Sequence, residues 1–565
     1  MIEEELVPLP DLVIPRFRRA SAPREFTDES ILLLRPSDKG WLTVIKEDGS
    51  TFRVEKPYDF TLLFPSKYNW TFSRFNELDC IFKVFHKGQC FNLKMFNELE
   101  FTSHGTTYQV FWIPETSKVR LVADNYTASS KYLINIAPYV KKSILLDTFG
   151  EIRDAVDKLI KLNKVFPVNL LSPASTTKDA LLDECSGEFD LIGKLHPEDI
   201  KYFFSCYKGP RMESRLLGTL ENAENADLKK AYLRALATCP SPSRSNVLVY
   251  LKGRKYHIKE AHPGSGYTIK VKIPSTYSTF SPIPLRLNGV GYYQGEFVTH
   301  VSKPYVELLE EVGDIPFEIL DSQQLILRDW NTSPFEELCN MIEYFEDAHG
   351  NELYPVNIKA LHFTMVGHFL HYHQELDRVT GEISQVASQD FNPILANAIQ
   401  GRVAKEIWLQ SQVQDTEAIR ADALTGHNLV TSNKYKKSDP GMMTFLTPLL
   451  KDKPGETLYR NLIYQFRDKK VISVHIERRL SFLQVYNHPG DIGKLVEVEV
   501  GIPATPGRRS LSPEKVKKLG YLLEGPIRTA IPQIDDMEEL ERCQEIVRIP
   551  SYIDDYLHLF PQTQT

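Results

Sequence analysis

One histidine-rich stretch contains the residues of this chain whose types and spacing come closest to a metal or acid–base site. Four of the fifteen histidines lie between positions 362 and 373. If residues 356–380 form a helix, each residue advances about 100° around the axis, and His368, His371 and Glu375 share one flank. Imidazole and carboxylate groups on one helix face bind zinc and similar ions in helical bundles. His368, His371 and Glu375 are therefore candidate metal ligands.

The same stretch also predicts an ordinary amphipathic core helix. Its apolar residues recur at spacings of three and four: Ile358, Leu361, Met365, Phe369, Tyr372, Leu376 and Val379. His362 and His373 fall on the flank opposite to the candidate ligands, so the four histidines cannot bind one ion. On this interpretation the histidines bond to neighbouring groups or water and have no chemical role.

A second candidate for chemistry is the segment Lys46-Glu47-Asp48-Gly49. It resembles the Lys-x-Asp-Gly motif of the covalent nucleotidyltransferases, the polynucleotide ligases and capping enzymes. Lys270-Val271-Lys272 resembles the Lys-x-Lys strand that closes their sites. The resemblance implies that Lys46 attacks a nucleotide α-phosphate and that Lys270 and Lys272 hold that phosphate. The alternative is an exposed hairpin turn, because tight turns between strands also favour Asp-Gly.

Other motifs of known chemistry are absent from the sequence. It contains no P-loop, no Gly-x-Ser-x-Gly elbow, no His-Glu-x-x-His pair and no EF-hand loop. The seven cysteines are scattered and form no Cys-x-x-Cys pair, which argues against a structural zinc site and a disulfide framework. The sequence therefore predicts no cofactor and a reducing environment, either the cytoplasm or a virus particle.

Composition and charge are those of a folded, soluble protein. Of 565 residues, 42% are hydrophobic and 25% charged, with a net charge of −7. The first residues are acidic where a signal peptide is basic, so no secretion signal is expected. No uncharged apolar run approaches the roughly 18–20 residues of a membrane helix, so no membrane insertion is expected.

A nucleic-acid partner remains open because one loop is locally basic. Its cations are Arg508, Arg509, Lys515, Lys517 and Lys518. Such side chains contact phosphates without reading sequence. The nearest aromatic residue is Tyr521, so this loop lacks a stacking platform for bases.

The hydrophobic patterns predict a multidomain α+β protein, with antiparallel β-rich regions and a pair of long helices in the second half. A hairpin is expected at 41–54, a helix at 148–163 and the two long helices at 356–380 and 393–424. The segment 239–245, rich in proline and serine, reads as a linker. The predicted regions are an N-terminal arm (1–28), an antiparallel β domain (29–145), a mainly helical segment (146–240), a second β-rich region (241–345), the long helical pair (346–430), a third β-rich region (431–533) and an acidic C-terminal segment (534–565).

The terminal segments favour interaction with other proteins over catalysis. Segment 1–28 is rich in proline and locally basic around its four arginines at positions 16–24, whereas segment 534–565 is acidic and offers apolar side chains for docking on a partner: Ile553, Tyr556, Leu557 and Phe560. We therefore expect a non-enzymatic structural or assembly subunit, a homo-oligomer or part of a multi-protein complex, which fits a virus- or phage-encoded protein. The alternatives are the nucleotidyltransferase-like or metal-dependent enzyme above, and a nucleic-acid-binding subunit of a polymerase or packaging complex.

Overall fold

The computed structural model describes most of the chain between residues 133 and 429 and shorter pieces on either side. The described ranges are 2–14, 31–36, 42–54, 69–73, 83–86, 89–92, 98–103, 106–113, 118–123, 126–129, 133–140, 146–163, 168, 173–214, 216–219, 224–254, 256–277, 280–287, 290–350, 352–358, 361, 365, 367–376, 383–413, 415–429, 443–445, 457–459, 462–465, 473–476, 483–486, 509–511 and 527–528. They form two compact units: unit 1 contains residues 1–8, 198–330 and 393–565, and unit 2 contains residues 9–197 and 331–392.

The α-helices of the described residues are concentrated in the middle of the chain. They are α1 (Phe149–Asn163), α2 (Pro173–Glu184), α3 (Pro197–Cys206), α4 (Ala231–Ala237), α5 (Lys303–Val312), α6 (Glu336–His349) and α7 (Pro393–Val413). Short 3₁₀ turns lie at Ala137–Tyr139, Ser186–Phe189, Ile192–Lys194 and His368–Leu370. Within the described ranges, no helix combines the length and the apolar composition that a bilayer crossing requires.

Strands occur throughout. The first group is β1 (Ile2–Glu3), β2 (Leu12–Val13), β3 (Ile31–Pro36), β4 (Leu42–Ile45), β5 (Thr51–Val54), β6 (Asn69–Phe72), β7 (Lys83–His86), β8 (Gln89–Asn92), β9 (Glu98–Ser103), β10 (Thr106–Ile113), β11 (Lys118–Ala123), β12 (Tyr126–Ser129) and β13 (Leu133–Asn135). The central group is β14 (Met212–Ser214), β15 (Leu216–Thr219), β16 (Glu224–Leu228), β17 (Val247–Lys252), β18 (Gly266–Ile273), β19 (Pro284–Arg286), β20 (Val290–Tyr292), β21 (Gly295–Ser302) and β22 (Phe317–Leu327). The last group is β23 (Tyr372–Leu376), β24 (Ile383–Ala387), β25 (Asp415–Arg420), β26 (Ala423–His427), β27 (Met443–Phe445), β28 (Thr457–Tyr459), β29 (Leu462–Gln465), β30 (Ser473–Ile476), β31 (Leu483–Tyr486), β32 (Arg509–Leu511) and β33 (Ile527–Arg528).

Unit 1 is organised by a five-stranded sheet with the order β1-β21-β18-β22-β17. Strands β21 and β22 pair antiparallel with β18, whereas β1 joins β21 in parallel. The other sheets of this unit have the orders β14-β25-β26-β16-β27, β32-β30-β31-β29-β28-β15-β33 and β19-β20. Helices and antiparallel-rich sheets together confirm the predicted α+β class.

Alternation along β18 explains how the five-stranded sheet is covered. Tyr267, Ile269 and Val271 point into a core that α5 and α7 complete, and each is at most 1% exposed. Thr268 points to the opposite face, where it contacts the Tyr202 hydroxyl of α3 at 2.9 Å. Because side chains alternate between the faces of a strand, the central strand of this sheet is buried on both sides near α3.

Unit 2 contains sheets with the orders β13-β6-β3-β4-β5, β12-β11-β10-β9, β2-β24-β23 and β7-β8. The predicted hairpin is present as β4 and β5, joined by a turn in which Gly49 has a φ of +80°. Helix α1 begins with a capping box. The Thr148 Oγ1 accepts a hydrogen bond from the Glu151 amide at 3.2 Å, and the Glu151 carboxylate accepts one from the Thr148 amide at 2.9 Å.

The first of the two predicted long helices, 356–380, is wrong over its second half, although residues 361, 365 and 367 are helical. Residues 368–370 form a 3₁₀ turn and residues 372–376 form β23, which pairs with β24. Strand β24 also pairs in parallel with β2, so the backbone of this stretch is satisfied within a three-stranded sheet. Tertiary strand pairing has overridden the helical spacing of the apolar residues. The residues at the start of that spacing are nevertheless in the core, namely Ile358, Leu361, Met365 and Phe369.

The second predicted long helix exists but is shorter than expected. Helix α7 begins at Pro393, as predicted from the proline, and ends at Val413 instead of residue 424. The chain then forms the antiparallel hairpin of β25 and β26. Gly426, which we expected just beyond the helix end, lies in β26. A Cβ atom there would stand 1.9 Å from the Asp415 carbonyl oxygen, so this close approach requires glycine.

Most of the segment predicted to be a linker is buried, namely residues 239–243, whereas Arg244 and Ser245 are exposed. Cys239, Ser241 and Ser243 are each at most 5% exposed within unit 1. The Asn246 side chain donates a hydrogen bond to the Ser241 carbonyl at 2.8 Å. Proline and serine here allow a tight, hydrogen-bonded path through the core instead of an exposed connection.

Candidate functional site

A long basic run in unit 1 is a strong signal that no sequence motif marks. Residues 228–272 contain one acidic residue, Glu260, and ten basic residues: Lys229, Lys230, Arg234, Arg244, Lys252, Arg254, Lys255, Lys259, Lys270 and Lys272. With histidine neutral this is a net charge of +9 in a chain whose total is −7. The net charge in a sliding window along the sequence reveals this run, because it depends on composition and not on the spacing of a motif.

Strand β17 lies at one edge of the five-stranded sheet and displays part of this run. Its only pairing in the described part of the chain is with β22. The register shifts between Val247 and Val249, so the strand is bulged. Leu248 is 57% exposed and Val249 is 41% exposed. The edge therefore presents apolar side chains and outward-facing backbone groups beside the cations at its end.

The loop that follows β17 is shaped by backbone hydrogen bonds. Gly253 has a φ of +96°, and its amide donates to the Ser322 carbonyl at 3.0 Å. The His257 carbonyl then accepts the amides of Glu260 and Ala261 at 3.2 and 3.0 Å. This turn leaves Arg254, Tyr256 and Lys259 exposed. The sequence folds this way locally because glycine permits the left-handed backbone that the turn needs.

Two exposed aromatic rings accompany the cations. Tyr256 is 53% exposed and Trp330 is 40% exposed. The Lys303 Nζ lies 4.5 Å from the Trp330 ring centroid and donates hydrogen bonds to the carbonyls of Ala261 at 2.7 Å and Lys259 at 3.3 Å. Burial lowers the pKa of Lys303. Lys303 thus holds the indole ring beside the loop that carries Lys259.

Some of these cations are already neutralised and others are not. The Lys252 Nζ lies 2.6 Å from the Asp199 carboxylate, and the Lys270 Nζ lies 2.7 Å from the Glu296 carboxylate. Within the described part of unit 1, Arg254, Lys259 and Lys272 form no ion pair. We define the β17 surface as Arg244, Leu248, Val249, Lys252, Arg254, Tyr256, Lys259 and Trp330. It combines the positive charge of Arg254 and Lys259 with apolar and aromatic side chains.

A second charged cluster of unit 1 is completely buried. Lys208 donates a hydrogen bond to the Glu4 carboxylate, and neither side chain is exposed. The same carboxylate accepts the Thr299 hydroxyl at 2.6 Å and the Arg286 amide at 3.2 Å. Burial lowers the pKa of Lys208, although the attraction of Glu4 opposes that shift. The cluster ties the first residues of the predicted arm, through β1, into the sheet.

A buried histidine acts on the backbone instead of on a substrate. His262 accepts a hydrogen bond from the Gly264 amide at its Nδ1, so its Nε2 carries the proton and donates to the Pro240 carbonyl at 3.0 Å. The Cys239 Sγ lies 3.7 Å from that Nε2. Because the Nε2 already carries a proton, it cannot accept one from the thiol. Burial lowers the pKa of His262 to about 3, and the pair serves as a structural contact.

The residues predicted to carry nucleotidyl transfer lie in different units. Lys46 is in the β4–β5 hairpin of unit 2, with its Nζ 4.5 Å from the Phe52 ring centroid. Lys270 and Lys272 lie on β18 of unit 1. The Lys270 Nζ donates a hydrogen bond to Glu296, which raises the pKa of Lys270, so this predicted phosphate contact already pairs with a carboxylate. Their assignment as a shared site stays a prediction.

The predicted metal ligands do not have the helical spacing on which their assignment was based. The His368 and His371 ring centroids are 6.2 Å apart, and Glu375 lies on β23. Four residues of extended strand span about 13 Å, compared with about 6 Å on a helix. The structure instead brings the His368 Nδ1 within 3.9 Å of the buried Asp390 carboxylate. Over the described ranges, no three His, Cys, Asp or Glu side chains are grouped to hold a metal.

Two further predicted sites lie largely outside the described residues. Of the basic loop, Arg509 begins β32, whereas Arg508, Lys515, Lys517 and Lys518 are not described. The predicted docking residues of the C-terminal segment are not described either: Ile553, Tyr556, Leu557 and Phe560. Both assignments stay predictions.

Comparison with known proteins gives no family for this chain. No family model and no curated protein matches its sequence. Among solved structures, "Phi29 DNA polymerase complexed with single-stranded DNA" aligns with 74% of this chain and 84% of the other, at 11% identity and a TM-score of 0.44. The same polymerase "complexed with primer-template DNA and incoming nucleotide substrates" aligns over the same shares at 10% identity and a TM-score of 0.44. Similarity at this level defines neither the fold nor the function of this chain.

Proposed function

We propose that this chain is a nucleic-acid-binding protein and that the β17 surface is its binding site. The observation that carries the proposal is the basic run of residues 228–272, whose Arg254 and Lys259 are exposed on one loop of unit 1 without acidic partners among the described residues. Lysine and arginine replace the counterions of a phosphate backbone, and the released ions drive binding. This role agrees with one alternative from the sequence, a nucleic-acid-binding subunit of a larger complex.

The exposed rings favour single strands over duplexes. Tyr256 and Trp330 lie beside cations, as do the aromatic residues on which unpaired bases stack. Stacking needs an accessible base face, and base pairing within a duplex hides those faces. Each base that stacks on an aromatic side chain contributes about 1–3 kcal/mol without sequence preference. The expected ligand is therefore a single strand of mixed sequence.

Fluorescence anisotropy with labelled oligonucleotides over a series of salt concentrations tests the proposal. The full chain should bind a mixed-sequence single strand more tightly than the matching duplex, with an affinity that falls steeply as salt rises. The variant Arg254→Ala/Lys259→Ala should bind more weakly. Lys405→Ala is the matched control, because Lys405 belongs to the same unit but already pairs with Glu311 at 2.9 Å. Equal affinities of wild type and the double variant would remove the β17 surface as the site.

An assembly subunit is a second candidate function, favoured by the apolar edge of β17. Exposed Leu248 and Val249 on an edge strand are features through which sheets of separate chains associate. In that case the purified chain should sediment as an oligomer, and Leu248→Lys should reduce its mass to that of a monomer. A monomeric wild type would leave nucleic-acid binding as the function of this edge.

A further inference from the structure

The β17 surface has a chemistry that phosphates alone do not use. Next to the cations Arg254 and Lys259 stand the exposed apolar side chains Leu248 and Val249. A nucleic-acid backbone offers charge but little aliphatic surface. A polypeptide that is both acidic and apolar complements the cations and the aliphatic side chains together.

The C-terminal segment of the same chain has that complementary composition. Residues 534–565 contain eight acidic and two basic residues. Asp554 and Asp555 stand directly between apolar side chains, with Ile553 before them and Tyr556 and Leu557 after them. The net charge of residues 534–565 is therefore −6, opposite in sign to the net charge of +9 of residues 228–272 in the same chain.

We propose that residues 534–565 dock on the β17 surface of their own chain and compete there with nucleic acid, a regulatory role that rests on the proposed function. Carboxylates displace the same counterions from Arg254 and Lys259 as phosphates do, so the two ligands exclude each other. A tethered segment is present at an effective concentration of about 1 mM, far above that of a second copy in dilute solution. Docking within one chain is therefore favoured over docking between copies.

The test neutralises the acidic segment within the full chain. In the tail variant, Asp535, Asp536, Glu538, Glu539 and Glu541 are replaced by the corresponding amides. The control variant replaces five exposed glutamates elsewhere with glutamine: Glu47, Glu184, Glu310, Glu318 and Glu406. Both variants change the net charge by the same amount. The tail variant should bind a single-stranded oligonucleotide about tenfold more tightly than the control at low salt, a factor expected if the free segment binds with a dissociation constant near 0.1 mM. The advantage should shrink as salt rises.

A second measurement examines docking without nucleic acid. A synthetic peptide of residues 534–565 should bind the tail variant in a fluorescence anisotropy assay, and Arg254→Glu/Lys259→Glu in the same background should abolish that binding. If the peptide does not bind, or the tail and control variants bind the oligonucleotide equally, the docking proposal is overturned while nucleic-acid binding stands. If the peptide binds but no form of the protein binds the oligonucleotide, the proposed function is what has failed. An oligomer lost only in the tail variant would show docking between copies and overturn docking within one chain.

Discussion

Unit 1 contains two groups of charged side chains, each with a lysine, in opposite surroundings. The Lys208 and Glu4 side chains form an ion pair with no exposed area. The Thr299 hydroxyl and the Arg286 backbone amide donate further hydrogen bonds to the Glu4 carboxylate. Arg254 and Lys259 stand on an exposed loop without acidic partners among the described residues. Residue type alone therefore says little about role, because burial and pairing decide whether a lysine supports the fold or acts on a partner.

The physical reason is the cost of removing charge from water. A buried ion must be paired and hydrogen-bonded, and its removal leaves a charge that nothing compensates. An exposed cation keeps its hydration, contributes little to stability and projects its field over about 8–10 Å at physiological salt. The comparison therefore predicts large effects on stability from the buried group and effects on binding from the exposed one.

The largest effect is expected from Lys208→Met. It leaves the Glu4 carboxylate buried without its cation, and breaking a buried pair costs about 3–5 kcal/mol of unfolding free energy. Denaturant unfolding of the full chain measures it. The double variant Glu4→Gln/Lys208→Met removes both charges and should recover much of the loss. If the single variant lost less than about 1 kcal/mol of unfolding free energy, Lys208 and Glu4 would not form a buried ion pair in solution.

Trp330→Leu should affect binding instead of stability. Loss of the ring that Lys303 holds beside the loop should weaken single-strand binding by about 1–3 kcal/mol. Duplex binding should change much less, because paired bases do not stack on the ring. Tyr344→Leu provides the control, since Tyr344 is an exposed aromatic of unit 2 that lies outside the β17 surface. Equal losses for single strands and duplexes would assign Trp330 a structural role.

His262 should make the fold sensitive to mild acid. Burial holds its pKa at about 3 in the folded state against about 6.5 in the unfolded state, so the unfolded chain binds the extra proton. Stability should therefore fall as pH drops below about 6.5, with His262 contributing about 1 kcal/mol between pH 7 and 5.5. Unfolding of His262→Gln over that range should show a smaller loss than wild type. Identical pH profiles would mean that the imidazole is hydrated in the native state.

Single substitutions on the loop should have the smallest effects. Arg254→Ala or Lys259→Ala should reduce the slope of log affinity against log salt by about 0.7 for a single strand, as expected when one phosphate contact is lost. Unfolding free energy should stay within about 0.5 kcal/mol of wild type. The salt titration is repeated with Lys405→Ala, whose slope should not change. A loss of affinity with an unchanged slope would assign these residues a non-electrostatic contact.

Local sequence determined the elements whose stabilising groups are close together in the chain. Helix α1 was predictable because Thr148 and Glu151 form the cap and Ile152, Val156 and Leu159 form its buried face. The β4–β5 hairpin followed from its Asp-Gly turn, and the start of α7 followed from Pro393. In the candidate site, the net charge of residues 228–272 can be read from the sequence, although no motif marks it.

Only the tertiary structure decided which groups are buried and which strands pair. Residues 372–376 have helical spacing but form β23, because they pair with the neighbouring β24, which is itself paired with β2 from the beginning of the chain. Glu4 lies in a segment predicted to be an exposed arm. Its carboxylate is nevertheless buried and accepts a hydrogen bond from Lys208, more than two hundred residues away in the sequence. The exposed position of β17 likewise follows from the order of five strands that are scattered along the sequence. Local propensities are worth tenths of a kcal/mol per residue, whereas burial and long-range pairing are worth several, so the long-range contacts prevail where the two disagree.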